Sequence, residues 1–143
     1  MNRVEITALT PQQAAEKWEF MVRWIIAACE KDIEGKISAG GLYDEVMSGH
    51  SLCIEIVFCG QPCGVAVVCS SNVKNGRCLF VQALGGVLMY KWLDEFVSFL
   101  ELTAKTVGCV DGILFVGRPG WKKQLVDLGF NTVLVTMHKG LGL

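Results

Sequence analysis

The chain has 143 residues, 13 Lys and Arg against 14 Asp and Glu, and a formal net charge of −1. This balance lacks the electrostatic footprint that binding to a phosphate backbone requires, so nucleic acid is not an expected partner. With no linker composition and no charge block, the length fits one domain, residues 1–143, large enough to bury its own core.

Hydrophobic residues make up 52% of the chain, and the mean hydropathy is +0.43. So much apolar surface in a short chain implies a protein partner or a homo-oligomer. The longest apolar stretches, 24–29 and 64–69, are too short to cross a bilayer, and the first residues lack the apolar core of a secretory signal. The expectation is a cytoplasmic protein that does not engage membranes. Seven cysteines lie mostly inside apolar, strand-like runs, which favours a reducing compartment over a disulfide framework.

Residues 4–9 alternate Val4, Ile6 and Ala8 with Glu5 and Thr7, as a half-buried strand does. Thr10-Pro11-Gln12-Gln13 then supplies a helix start, with Thr as the cap, Pro in the first position and Gln returning the hydrogen bond. Trp18, Met21, Val22, Ile25 and Cys29 form an apolar stripe at helical spacing, and Gly35 is the expected stop. Phe20 and Trp24 fall off the stripe, where they mark either a broad core face or a partner surface.

A short helix follows at 42–47, ending at Ser48-Gly49. Strands at 52–58, 64–69 and 77–84, joined by the turn Cys59-Gly60-Gln61-Pro62 and a polar loop at 70–76, read as an antiparallel meander. The clearest helix spans 90–107, with Trp92, Phe96, Phe99, Leu100 and Thr103 on one side and Gly108 as its cap. A strand at 113–116, the turn Arg118-Pro119-Gly120, a short helix at 121–128 and a last strand at 131–139 complete the chain. A strand, helix and strand over 80–116 imply a right-handed crossover between parallel neighbours. The fold class is α/β (α+β), a mixed, mostly antiparallel central sheet flanked by helices, in the order β-α-α-β-β-β-α-β-α-β.

Candidate chemistry concentrates in one stretch. At Gln82-Ala83-Leu84-Gly85-Gly86-Val87 a strand enters a helix through two glycines, which brings backbone close to a ligand. The N–H groups of the first helical turn and the helix dipole attract a pyrophosphate. The same residues also read as a simple tight turn. Cys59 and Cys63, with His50 as a distant third group, do not have the commonest zinc spacing, and their Gly-Gln-Pro centre reads as a hairpin, so no metal is expected. Glu55, Asp44 and Glu45 are candidate bases, each equally readable as a solvent-facing charge, and His50 and His138 read as surface or structural histidines. No cysteine sits beside a histidine or at a recognisable helix start, which leaves thiol catalysis little support. Arg118, pinned between Gly117 and Pro119, reads either as a clamp for a substrate carboxylate or as a residue that fixes its own turn.

The element order, together with two local motifs, resembles the GNAT family of N-acetyltransferases over essentially the whole chain. Residues Gln82 to Val87 are similar to that family's Gln/Arg-x-x-Gly-x-Gly/Ala cofactor loop, and the last helix ends in Leu128-Gly129-Phe130 as the family's does. Gly117-Arg118-Pro119-Gly120-Trp121 and His138-Lys139-Gly140-Leu141 also resemble a small bacteriophage subgroup. The resemblance implies that acetyl-CoA is bound, with Leu84, Gly85, Gly86 and Val87 on the diphosphate and Val81, Gln82 and Ala83 along the pantetheine arm. It implies transfer of acetyl to an unidentified small-molecule or peptide amine. Two positions depart from the pattern: Val87 stands where Gly or Ala is usual, and Leu125 where the family commonly has a Tyr that protonates the leaving thiolate. Catalytic residues therefore stay unassigned. The alternative is a catalytically degenerate GNAT-like phage protein that acts as a protein-binding module, either a virion component or an inhibitor of a host factor.

Overall fold

In a computed structural model, residues 3–30, 38–73, 76–109, 111–115 and 125–130 are described. Strand β1 (Val4–Leu9) leads through α1 (Pro11–Cys29) and α2 (Ala39–Ser48) into β2 (Leu52–Phe58), β3 (Gln61–Val73) and β4 (Gly76–Gly86). Helix α3 (Met89–Thr106) and β5 (Ile113–Phe115) follow, with a single helical turn at 125–127. The sheet order is β1-β2-β3-β4-β5. The first three pairings are antiparallel, and β4 and β5 run parallel across the α3 crossover.

Alternation along the strands gives the sheet two apolar faces. Ile54, Ile56, Val68, Leu79 and Val81 pack with Trp92, Phe96 and Leu100 of α3. Cys53, Val65, Val67 and Ala83 pack on the other face with Met21, Trp24 and Ile25 of α1 and Leu42 and Val46 of α2. A sheet covered on both sides needs apolar residues at consecutive positions, and the run from Val65 to Val68 supplies them.

Helix α1 starts as its sequence dictates. Gln13 N–H donates to Thr10 Oγ1 at 3.2 Å and Thr10 N–H to Gln13 Oε1 at 3.0 Å, a complete capping box with Pro11 behind it. Trp24 belongs to the core, whereas Phe20 is 49% exposed with the Arg23 guanidinium 4.9 Å from its ring centre. The expected stop at Gly35 lies outside the described residues, as do 121–124 and the last strand at 131–139.

The β2–β3 turn has two residues rather than four. Cys59 and Gly60 both have positive φ, 51° and 82°, the geometry of a type I′ hairpin whose twist matches its strands. Phe58 pairs Gln61 directly, so Pro62 falls inside β3. Proline is tolerated there because β4 ends opposite Gly64, and the position beyond it has no described neighbour on that side to demand an N–H. The polar residues 70–72 continue β3 against Arg77, Cys78 and Leu79 instead of forming a loop. Backbone pairing holds them on the β4 side while two serines and an asparagine meet water.

Candidate functional site

The site is set by how β4 ends. Val67 pairs Ala83 and Val68 pairs Val81, which leaves Gln82 unmatched in a β-bulge. The described pairing of β4 with β5 stops at the same level, at Val81 and Phe115, while β4 itself continues to Gly86. Residues 85 and 86, expected to lie beyond a strand at 77–84, are therefore strand as well, and the turn into the helix is only Val87 and Leu88.

Both glycines are required by close packing. A Cβ on Gly85 would lie 2.6 Å from the Trp24 carbonyl oxygen, and one on Gly86 would overlap Cys63 O and meet Gly64 Cα at 2.6 Å. Gly86 also has φ +148°, which side chains rarely adopt. Gly64 in turn leaves room for the Trp92 ring, 2.9 Å from where its own Cβ would be. The turn beyond is clamped: Val87 N–H donates to Cys63 O at 2.7 Å, and Trp92 Nε1 donates to Val87 O at 2.8 Å.

Leu88 then adopts the left-handed conformation, φ 56° and ψ 34°, and no side chain caps α3. A leucine there costs on the order of 1 kcal/mol, and strain of this kind concentrates at ligand sites. The first-turn N–H groups, at the positive end of an 18-residue helix, are thereby presented without a competing acceptor side chain. Val87, Leu88 and Tyr90 around them are exposed, and Lys91 adds a cation 5.4 Å from the Tyr90 ring.

A second cluster lies on the α1–α2 face of the bulge. Gly49 ends α2 in the left-handed conformation, and the chain folds back so that His50 and Ser51 N–H both donate to Glu45 O, at 3.0 and 3.2 Å. That return places the Ser51 hydroxyl 3.1 Å from Glu45 Oε2 and 2.8 Å from Gln82 Oε1, while Gln82 Nε2 donates to Glu45 Oε2 at 2.7 Å. Ser51 is buried, and Glu45 and Gln82 half-buried. Ser51 also lines a cleft of about 340 Å³ with Leu9, Val46, His50, Cys69 and Thr103. Sequence reasoning missed Ser51 and the turning-in of the Gln82 side chain. The Gly49 stop signalled the return of the chain, but nothing local signals the bulge.

The other candidates separate. Glu55 is 7% exposed and bound by Lys17 Nζ at 2.8 Å, an ion pair that holds α1 over the sheet. Asp44 is exposed, His50 Nδ1 lies 2.8 Å from Ser48 Oγ, and Leu125 is 7% exposed. Arg118, Gly117, Trp121 and His138 lie outside the described residues. Burial first, then Glu55, pushes the Cys53 thiol up to about 12. Burial raises Cys63, and burial with the Glu45 and Cys109 charges raises Cys69. All three shifts oppose the thiolate that thiol catalysis needs. Cys63 is buried with its Sγ toward Ile56 O, whereas Cys59 is exposed at the hairpin tip.

No family model matches the chain, and no curated protein matches it by sequence. Solved structures match it almost end to end. An aminoglycoside acetyltransferase with a bisubstrate CoA analogue superposes with a TM-score of 0.67 at 13% identity, over 96% of this chain and 98% of that one. A possible acetyltransferase from Clostridium difficile 630 gives 0.64 at 12% identity over 98% of both chains. Glucosamine-6-phosphate N-acetyltransferase from Arabidopsis thaliana gives 0.63 at 14% identity, covering 97% of this chain and 99% of that one. The fold is the GNAT fold. At such identities the likeness is one of fold alone.

Proposed function

We propose that this single GNAT-fold domain binds acetyl-CoA at the end of β4 and transfers the acetyl group to an amine. The observation that supports the reading is the Gln82 bulge in β4, followed by a helix N-terminus that no side chain caps. In this reading the backbone of β4 from Gln82 to Gly86 bonds the amides of a pantetheine arm. The first turn of α3 offers N–H groups and a positive dipole end to the diphosphate. Leu88, Met89 and Tyr90 would thus hold the phosphates, displaced toward the helix from the span 84–87 that sequence alone suggested, because Gly85 and Gly86 are closed in by Trp24 and Cys63 and Val87 N–H is given to Cys63 O. When bound, the cofactor supplies an activated thioester. The chain contributes orientation, which accounts for a large part of catalysis between two bound reactants.

Trp92 reports on this site through its bond to Val87 O. Titration with acetyl-CoA is expected to change tryptophan fluorescence saturably at micromolar concentrations. No change up to millimolar acetyl-CoA rejects the reading. A place among small bacteriophage proteins of this fold is supported by residues 117–121 and 138–141 alone. The second reading, a non-catalytic protein-binding module, draws on the exposed apolar side chains Val87, Leu88 and Tyr90 clustered at the start of α3. A protein complex that excess acetyl-CoA does not compete away favours it.

A further inference from the structure

Strand β3 outruns β2. The last β2–β3 pair is Leu52 with Val68, whereas β3 continues against β4 from Cys69 to Val73. The chain before Leu52 leaves the line of the strand, because Gly49 ends α2 and His50 and Ser51 N–H both bond Glu45 O. Among the described residues, none pairs residues 69–72 on the β2 side. The phase of the β3–β4 ladder decides which groups face that gap. On β4, Leu79 N–H donates to Gly112 O at 2.9 Å, Asp111 N–H donates to Arg77 O at 3.1 Å, and Arg77 N–H donates to Asp111 Oδ2 at 2.8 Å. Leu79 and Arg77 thus turn their backbone groups toward β5. Their partners Ser70 and Asn72 form the non-hydrogen-bonded pairs of the ladder and direct N–H and C=O away from β4, into the gap.

Both residues are exposed. Residues 69–73, Cys-Ser-Ser-Asn-Val, carry neither the charge nor the proline with which sheet edges are commonly blunted. Side chains alternate along a strand, so Ser70 shares a face with Val68 and Leu79, the face that α3 covers. There the cleft of about 340 Å³ opens, walled by Leu52, Val68, Ser70 and Leu79 of the sheet and by Thr103 and Val107 at the end of α3. Val107 is 47% exposed, an apolar side chain without a cover. This end of α3 is opposite the one that carries the candidate cofactor site.

We propose that the β3 edge at Ser70 and Asn72, with this cleft, docks an extended segment of a partner protein, which adds as a strand in the line that β2 vacates. Two N–H donors and two C=O acceptors on alternate residues, all directed into one gap, are complementary to extended backbone. The guest residue opposite Ser70 points to the same face as Ser70 and enters the cleft, where an apolar side chain meets Leu52, Val68, Leu79 and Val107. A single strand is the occupant that fits. Leu9 and Pro11, at the β1 end, wall the cleft on the side away from β3. A second copy pairing through the same edge would bring its own β4 into that space. The proposal is independent of the acetyl-CoA reading.

Amide hydrogen exchange of the free, full chain tests the edge itself. Ser70 and Asn72 are expected to exchange at least 100-fold faster than Cys69 and Ser71, whose N–H groups bond β4. The probes are four acetylated, amidated peptides Lys-Thr-X-Thr-X-Thr-Lys, with X as Ala, Val, Leu or Phe. At least one of the Val, Leu and Phe peptides is expected to bind at micromolar concentration and to slow exchange at Ser70 and Asn72 at least tenfold. N-methylation of that peptide at alternate residues, and not at those between, is expected to weaken it at least tenfold. Asn72→Pro removes one N–H that faces the gap and leaves the β4 bonds in place; it is expected to melt as wild type does and to bind at least tenfold more weakly, whereas Asn72→Ala binds as wild type does. Equal protection of residues 69–72 in the free monomer overturns the proposal, because the edge is then covered. Protection that rises with a concentration-dependent dimer gives the edge to a second copy and overturns it too. So does the failure of all four peptides to bind at millimolar concentration, or binding that N-methylation at every position leaves unchanged.

Discussion

Gly85 and Gly86 show how a residue type can be legible while its reason is not. In sequence they resemble a phosphate cradle; in the fold they let α1 and β3 approach β4, with Trp24 O 2.6 Å from a Gly85 Cβ. Gly86→Ala combines an overlap with Cys63 O and an unfavourable φ, so it is expected to cost about 3 kcal/mol in urea unfolding. A loss below about 0.5 kcal/mol contradicts the packing. Bulky substitutions at either glycine therefore report on folding before they report on ligand. Cys53 supplies a second residue-scale test. Its thiol is raised from the ordinary 9.0 to about 12 by burial and by Glu55, so the native state holds this proton more tightly than the unfolded chain does. The resulting stability is fully present below about pH 9 and is lost as pH rises toward 12. Cys53→Ala is expected to be less stable at pH 7 yet to show a flatter decline between pH 9 and 11. An unchanged slope is inconsistent with a buried thiol at this position.

At the scale of elements, α1 is the best-read part of the chain. Thr10, Pro11 and Gln13 form the capping box that their spacing implies, and Thr10→Ala is expected to lower stability by about 1 kcal/mol in thermal unfolding. How α1 docks was less readable, because the partner of a charged residue is set by tertiary placement. Lys17 and Glu55 are 38 residues apart in sequence and meet at 2.8 Å. Lys17→Met strands a carboxylate that is 7% exposed, and with Lys17 itself half exposed the loss is expected near 2 kcal/mol. Glu55→Gln placed on top of it should recover part of that loss. The strands behaved similarly. Their centres follow from runs such as 65–68, but the Gln82 bulge arises where two twisted strands settle their register, and no single residue announces it. Ser51 became part of the candidate site only through that bulge and the Gly49 turn.

For the whole molecule, the element order through β5 was readable because each strand and helix carries its own periodicity, and the comparisons bear out the fold class, a mixed, mostly antiparallel sheet flanked by helices. A sheet covered on both faces buries apolar residues in two clusters; among the large apolar side chains left exposed, Val87, Leu88 and Tyr90 lie beside the α3 N-terminus. That end of the molecule carries the central claim, and Tyr90 offers a clean way to test it. Tyr90 is 74% exposed and lies two residues after the cap Leu88, where a carboxylate favours the helix dipole but repels a diphosphate. The decisive measurement is isothermal calorimetry of acetyl-CoA with wild type and Tyr90→Glu, beside their melting temperatures. Micromolar binding in wild type, weakened at least tenfold in a variant that melts no lower, is the predicted result. Equal affinity in the two proteins, or no binding to wild type at millimolar acetyl-CoA, would contradict it.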